Sequence, residues 1–189
     1  PAADRMKGRS ANNGYDHAME EYVIYGAGGA ARELAWNVQD SGCRVVCFIQ
    51  DGCTEPRTVN GIKVDCFERA LREFTDVALL LAVGHCRPRG AMIARAVAEG
   101  FHCYRPFIHK RITLSDTTSV GKGTVIGCSN VITVNNRIGD FVLIHSLCSV
   151  THDVEIGDFS TLNYGVNVSG NVKIGKRVNF GSNCCVING

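Results

Sequence analysis

The sequence predicts a chain in two parts, an α/β unit over residues 21–106 followed by an all-β solenoid of short repeats over residues 107–189. Two observations carry this. Apolar residues recur at every sixth position from Leu114 to Val186, and strand-like and helix-like segments alternate only before about residue 107.

The repeat comes first because it is the strongest signal. Stepping by six gives Leu114, Val120, Ile126, Ile132, Ile138, Ile144, Val150, Ile156, Leu162, Val168, Ile174, Phe180 and Val186, all apolar. In a chain with 45% apolar residues, chance gives this about 3 times in 100,000, or roughly 2 in 10,000 after allowing for six phases. Two residues before these positions stand small or β-branched residues, among them Thr118, Thr124, Val142, Cys148, Val154 and Val166. A two-residue step along a strand returns to the same face, so both registers point inward. The following position is glycine at 121, 127, 139, 157, 175 and 181, which suits a tight corner needing unusual backbone angles. Short strands that turn every six residues wind into a hexapeptide β-helix, here about four coils of three strands.

The first part reads element by element. "YVIYG" is a strand, and "AARELAWNVQDSG" is a helix that stops at Gly42. "RVVCFI" is a second buried strand, and Asn60-Gly61 in "TVNGIKV" is a hairpin turn. Asp65 with Glu68 resembles a capping box ahead of "CFERALREF". "DVALLLAVG" is a third strand, "RGAMIARAVAEG" a third helix, and "FHCYRP" a fourth strand. The alternation predicts a small parallel sheet covered by helices. Residues 1–20 are polar, aperiodic and start without Met; they read as a flexible extension or a remnant of cloning.

Composition narrows the partners. A net charge of +2 gives no ground for a nucleic-acid partner, although Arg87, Arg89, Arg95, Arg105, Lys110 and Arg111 thicken the basic character locally. No apolar run reaches the roughly 18 residues of a membrane helix. The ten cysteines are scattered, without a C-x-x-C pair, which suits reduced thiols in the cytoplasm.

Two motifs carry chemistry. "GAGGAA" places Gly26, Gly28 and Ala31 in a G-x-G-x-x-A loop between the first strand and helix, where backbone N–H groups can face a phosphate. Asp51 follows the second strand, as a ribose-binding acid would in a dinucleotide fold, so an NAD site is a rival on motif grounds. The unit's length suits a single nucleotide better. The second motif is His152-Asp153. The inward positions around it are Cys148, Val150, Val154 and Ile156, so His152 falls at a corner and projects outward. A neutral imidazole there can take the proton from an attacking amine or hydroxyl. Asp153 can orient the ring only if the corner breaks the strand's alternation. His145, Cys148 and His152 also invite a zinc-site reading, but Cys148 is in the inward register; no metal is expected.

The segments "VIYGAGGAARELAWNV", "VNGIKVDCFERAL", "LAVGHCRPR", "FIHKRITLSDTTSVGKGTVI" and "SVTHDVEIGDFSTLNYGVNVSGNVKIGKRVNFGSNCCV" resemble, in the family's order, the hexapeptide-repeat sugar acyltransferases. The similarity is to the group with sialic acid O-acetyltransferases and UDP-4-amino-sugar N-acetyltransferases. It implies a Rossmann-like N-terminal domain holding the nucleotide-sugar, a left-handed β-helix, and a homotrimer with acetyl-CoA between neighbouring β-helices. It further implies His152 as general base with Asp153 as its partner. Substrate contacts would come from Gly28, Gly29, Ala30, Gln50, Asp51 and Gly84, and acetyl-CoA contacts from Thr161, Gly170 and Ser182. Relatives often carry small-Gly-His-Gly where this chain has Gly28-Gly29-Ala30-Ala31, and some have a histidine at Thr161. The implied reaction is N-acetylation of a UDP-4-amino-sugar, with O-acetylation of a sialic acid as the alternative and a non-catalytic trimeric scaffold as a further one. The chain reaches Gly189 in mid-repeat, which predicts a longer gene product carrying a C-terminal cap.

Overall fold

The computed structural model describes residues 20–55 and 57–188; the 1–20 extension lies, but for Glu20, outside the described residues. The first part comprises β1 (Glu21–Tyr25), α1 (Gly29–Asp40), β2 (Arg44–Ile49), β3 (Arg57–Val59), β4 (Ile62–Asp65), α2 (Phe67–Phe74), β5 (Ala78–Leu81) and α3 (Cys86–Ala98). Its sheet runs β3-β4-β2-β1-β5, parallel except for the edge pair β3–β4.

The Rossmann-like domain expected here does not form. What forms is a short α/β unit with a mixed five-stranded sheet, and most of the chain is parallel strands of the left-handed β-helix type. The Asn60-Gly61 turn is responsible for the antiparallel edge: with φ of 49° and 76° it folds β3 back on β4. The fourth strand expected in "FHCYRP" is also absent. That segment gives β5 one bond, from the Leu79 N–H to the Cys103 carbonyl at 2.9 Å, before turning away. The expected capping box shifts as well. Cys66 is the N-cap of α2, and the Asp65 carboxylate instead accepts from the Cys66 N–H at 2.8 Å and from Arg69.

From β6 (Phe107–Ile108) onward the chain winds through two-residue strands six residues apart. They are β7 (Ser119–Val120), β8 (Val125–Ile126), β9 (Val131–Ile132), β10 (Arg137–Ile138), β11 (Leu143–Ile144) and β12 (Ser149–Val150). The series continues through β13 (Glu155–Ile156), β14 (Thr161–Leu162), β15 (Asn167–Val168), β16 (Lys173–Ile174), β17 (Asn179–Phe180) and β18 (Cys185–Val186). They stack as three parallel faces: β7-β10-β13-β16, β6-β8-β11-β14-β17 and β9-β12-β15-β18. All thirteen hexad positions belong to one core, with only Val120, Phe180 and Val186 partly buried.

Polar residues of the second inward register join the stack by bonding one coil onward. Asn130 Oδ1 accepts from the Cys148 N–H at 2.7 Å, Asn136 Oδ1 from Val154 at 3.0 Å, and Ser160 Oγ from Val178 at 3.1 Å. A buried N–H left without such a partner would cost about 1–3 kcal/mol.

The hexad glycines have a different cause from the one expected. The left-handed residues lie two positions later, among them Ser129, Asn135, Phe141, Leu147, Asp153, Phe159, Asn171 and Arg177. Gly121, Gly139 and Gly157 are needed because successive coils approach closely: a Cβ there would meet neighbouring atoms at 2.5, 2.5 and 2.6 Å.

The α/β unit lies on the β6-β8-β11-β14-β17 face, where outward-pointing Phe107, Val125 and Leu143 pack into its core. Hydrogen bonds tie the parts together: Cys128 N–H to Asn37 Oδ1 at 3.0 Å, His109 Nε2 with Asp40 at 2.9 Å, and Gly123 N–H to the Tyr104 carbonyl at 2.7 Å. No helix among the described residues is long and apolar enough to cross a membrane.

Candidate active site

His152 stands at the corner between β12 and β13, on a stack with Val134 one coil before and Gly170 one coil after. Asp153 is the left-handed residue of that corner, with φ of 59°. An Asn or Asp tolerates this conformation better than most residues, and Asn135 and Asn171 occupy the equivalent places. The turn breaks the strand's alternation and brings Asp153 Oδ2 to 2.8 Å from His152 Nδ1. Asn135 Nδ2 donates to the other carboxylate oxygen at 3.0 Å. The His152 ring, and secondarily Asn135, hold the Asp153 carboxyl below its ordinary pKa. An ionised carboxylate only accepts, so Nδ1 carries the proton and, in the neutral ring, Nε2 is the acceptor. Both side chains are solvent-accessible, at 55% and 46% exposure. Gly170 clears the space beside the ring: a Cβ there would lie 2.5 Å from Nε2.

The proposed substrate residues gather on a second edge, at the C-terminal ends of β1, β2 and β5. Gly28 caps α1, and Gly28, Gly29 and Ala30 are exposed. Gln50 and Asp51 follow β2, and Gly84 follows β5. Strand order reverses between β1 and β5, the position where open α/β sheets bind ligands. Asp51 is not free. It accepts from the Tyr25 hydroxyl at 2.8 Å and from Arg95 Nη1 at 2.7 Å, while Arg95 also binds Glu68 at 2.8 Å and lies 4.3 Å over the Phe67 ring. Burial first, and then Asp51, pushes the Tyr25 phenol up to about 12. Gln50 Oε1 accepts from Arg57 at 2.7 Å.

The three residues expected to meet acetyl-CoA do not converge within one chain. Gly170 is at the His152 corner, and exposed Ser182 is at the corner between β17 and β18. Thr161 is fully buried where the α/β unit covers β14; its hydroxyl donates to the Gly84 carbonyl at 2.9 Å and accepts from Arg89 Nη1 at 2.7 Å. Thr161 and Gly84, assigned to different ligands from the sequence, therefore touch each other.

A cavity that sequence reasoning missed opens between α1, the end of β5 and the β-helix. Ala30, Glu33, Asn37, His145, Ser146 and Tyr164 line it. The His145 and Tyr164 ring centroids lie 4.7 Å apart with their planes tilted by 36°, and burial first, then neighbouring Glu33, pushes the Tyr164 phenol up. Burial lowers the His145 pKa against the pull of Glu33. The signal in the sequence is the spacing of eighteen between Ser146, Tyr164 and Ser182, which puts them on one corner. His85, by contrast, is spent as the N-cap of α3, accepting from the Arg87 N–H at 3.4 Å. Among the described residues no group of three or more His, Cys, Asp or Glu side chains is arranged to hold a metal. The Cys148 thiol points inward to the Asn163 carbonyl at 3.1 Å.

No family model matches the chain. The chain is similar to GDP-perosamine N-acetyltransferase of Escherichia coli O157:H7, 28% identical over 185 residues, covering 90% of this chain and 80% of that protein. Among solved structures, a histidine-to-asparagine mutant of perosamine N-acetyltransferase from Caulobacter crescentus, in complex with CoA and GDP-perosamine, aligns with a TM-score of 0.71. It is 24% identical, with 89% of each chain covered. The acetyltransferase domain of PglB from Neisseria gonorrhoeae, in complex with acetyl coenzyme A, aligns with a TM-score of 0.70 at 22% identity, covering 90% of this chain and 94% of that one. The curated relative is thus a sugar N-acetyltransferase, and the solved structures share the fold of this chain.

Proposed function

We propose that the protein transfers an acetyl group from acetyl-CoA to the amine of a nucleotide-linked 4-amino-sugar, with His152 as general base. The single observation that carries this reading is the His152–Asp153 pair, with Nδ1 engaged at 2.8 Å and Nε2 left as an acceptor at an exposed corner. The amine attacks the thioester carbonyl, its proton passes to Nε2, and the carbon–sulfur bond breaks to release coenzyme A. Asp153 holds the ring in the right tautomer and stabilises the imidazolium. A positioned base contributes about 10²–10⁴ in rate.

Residues 21–106 hold the sugar nucleotide, and residues 107–189 carry the acetyl donor. The exposed Gly28-Gly29-Ala30 turn at the start of α1 suits a diphosphate. Acetyl-CoA, as co-substrate, lies against Gly170 and Ser182. These stand at different corners, so the reading takes the protein as a homotrimer in which neighbouring β-helices supply one corner each. The outward, exposed Val131 and Val134 near the His152 corner, and Leu147 at the Ser182 corner, support such a contact. The base of the nucleotide is taken as uridine from the family resemblance; the curated relative's name gives guanosine as the competitor.

The test is direct. The protein is incubated with acetyl-CoA and a panel of UDP- and GDP-linked 4-amino-sugars and free sialic acids, and products are read by mass. Gain of one acetyl on a nucleotide-linked amino-sugar is expected. Acetylation confined to the sialic acids would replace the reading with O-acetyl transfer, and no product on any acceptor would contradict it.

A further inference from the structure

Arg89, in the first turn of α3, is only 1% exposed. Its guanidinium donates to five oxygens on two distant stretches of chain. Nη1 reaches the Val83 carbonyl at 3.2 Å, the Gly84 carbonyl at 3.1 Å and Thr161 Oγ1 at 2.7 Å. Nη2 reaches the Ser160 carbonyl at 3.1 Å and the Phe159 carbonyl. Thr161 closes the circuit by donating back to Gly84 at 2.9 Å.

No carboxylate answers this charge: among the described residues the salt bridges do not include Arg89, and its Nε has no hydrogen-bond partner. Burial lowers the guanidinium to about 10, still charged at neutral pH. A buried cation held by neutral oxygens alone is an expensive way to gain stability; a well-packed apolar side chain usually does as well or better. What a planar fork does supply is geometry, because its donors point in fixed directions.

The two stretches are the ones that matter for acyl transfer. Val83 and Gly84 form the turn after β5, one wall of the crevice at the β1/β5 reversal, opposite the Gly26–Ala30 loop. Phe159–Thr161 leads into β14 on the β-helix. In the proposed reaction the acceptor sits with the first, and the second belongs to the β-helix that carries the donor at its corners. Reacting atoms must meet within about 3–3.5 Å, and a misplacement of about 1 Å costs on the order of 100-fold.

We infer that Arg89 is a positioning residue, holding the Val83–Gly84 wall of the nucleotide-sugar crevice at a fixed place relative to the β-helix. The inference rests on the acetyl-transfer reading above for its functional meaning, while the clamp itself can be read without catalysis.

The experiment compares the full chain with Arg89→Lys and Arg89→Met. Lysine keeps the charge but reaches one point instead of two stretches; methionine keeps length and loses every donor. Hydrogen exchange in the free protein reports the clamp: amides of residues 83–87 and 159–162 are expected to exchange about tenfold faster or more in Arg89→Met, in both segments together, with partial recovery in Arg89→Lys. Steady-state kinetics on the sugar nucleotide that the wild type acetylates report the function. KM for that acceptor is expected to rise about tenfold or more in Arg89→Lys, with coenzyme A affinity measured by calorimetry within about twofold of wild type. If Arg89→Met does not fold, Arg89→Lys decides. Unchanged exchange in both segments overturns the clamp. A variant that loses only folded protein, with KM for both substrates unchanged in what remains, overturns the positioning role. Absence of acetyl transfer by the wild type contradicts the proposed function instead, and exchange still decides whether the clamp exists.

Discussion

The two parts of the molecule are held together by different physics. In the β-helix each residue answers to the residues eighteen before and after it, so one rule serves every coil. In the α/β unit and its joint with the β-helix, single contacts such as His109–Asp40 and Arg89–Thr161 have no counterpart among the other described residues. The comparison teaches where substitutions should be costly. In the solenoid the cost depends on how closely the next coil approaches the position, and at the joint it depends on one named partner.

Substitutions can sharpen that contrast. Gly157→Ala should cost most, about 2–4 kcal/mol by urea unfolding, because the new Cβ would lie 2.6 Å from the Gly175 backbone and the coils would have to part. A loss below 1 kcal/mol would show that the coils can slide apart cheaply. Next comes Asn136→Ala, expected to cost about 1–3 kcal/mol, since it strands the buried Val154 N–H that Asn136 Oδ1 accepts at 3.0 Å. Both belong to the stacking rule.

The joint makes a pH-dependent prediction. Burial, opposed by Asp40, lowers the pKa of the fully buried His109. The unfolded chain therefore binds this proton first as pH falls through about 6.5, and stability present above that pH is lost toward the folded value. Wild-type stability should fall between pH 7 and 5.5, with His109 contributing a slope of up to about 1.4 kcal/mol per pH unit, and His109→Gln should flatten that part of the curve. Identical slopes would remove His109 from the account. The smallest effect should come from Gly127→Ala. This glycine is at the same hexad position as Gly157, yet a Cβ there meets nothing closer than the Ser146 hydroxyl of the next coil at 3.2 Å, so the change should stay within about 1 kcal/mol.

The same contrast explains what the sequence disclosed. Thirteen apolar positions at a spacing of six announced the β-helix because the interior demands the same chemistry at every coil. The glycines were visible too, but their cause was not: a one-dimensional pattern suggests a bent corner, whereas close approach of coils is a fact of stacking. The true corner residues gave no compositional signal, since Phe141 and Phe159 adopt the left-handed conformation as Asn135 and Asp153 do. The mixed sheet follows from the Asn60-Gly61 turn, which folds β3 back on β4, while "FHCYRP" formed one bond with Leu79 in place of the expected strand. His152 and Asp153 could be singled out because they are adjacent. Arg89 and Thr161, 72 residues apart, were named there separately but could not be paired, nor could the cavity between Glu33 and Tyr164 be seen.

The central claim is that the corner histidine removes the proton during acetyl transfer. Single-turnover rates for wild type and His152→Ala, with acetyl-CoA and the acceptor sugar nucleotide both saturating, test it most directly, with coenzyme A binding measured on each as a check on the fold. A rate at least about 100-fold lower in His152→Ala with coenzyme A affinity retained is the predicted result. A rate within a few-fold of wild type would contradict it, and another group would have to be the base.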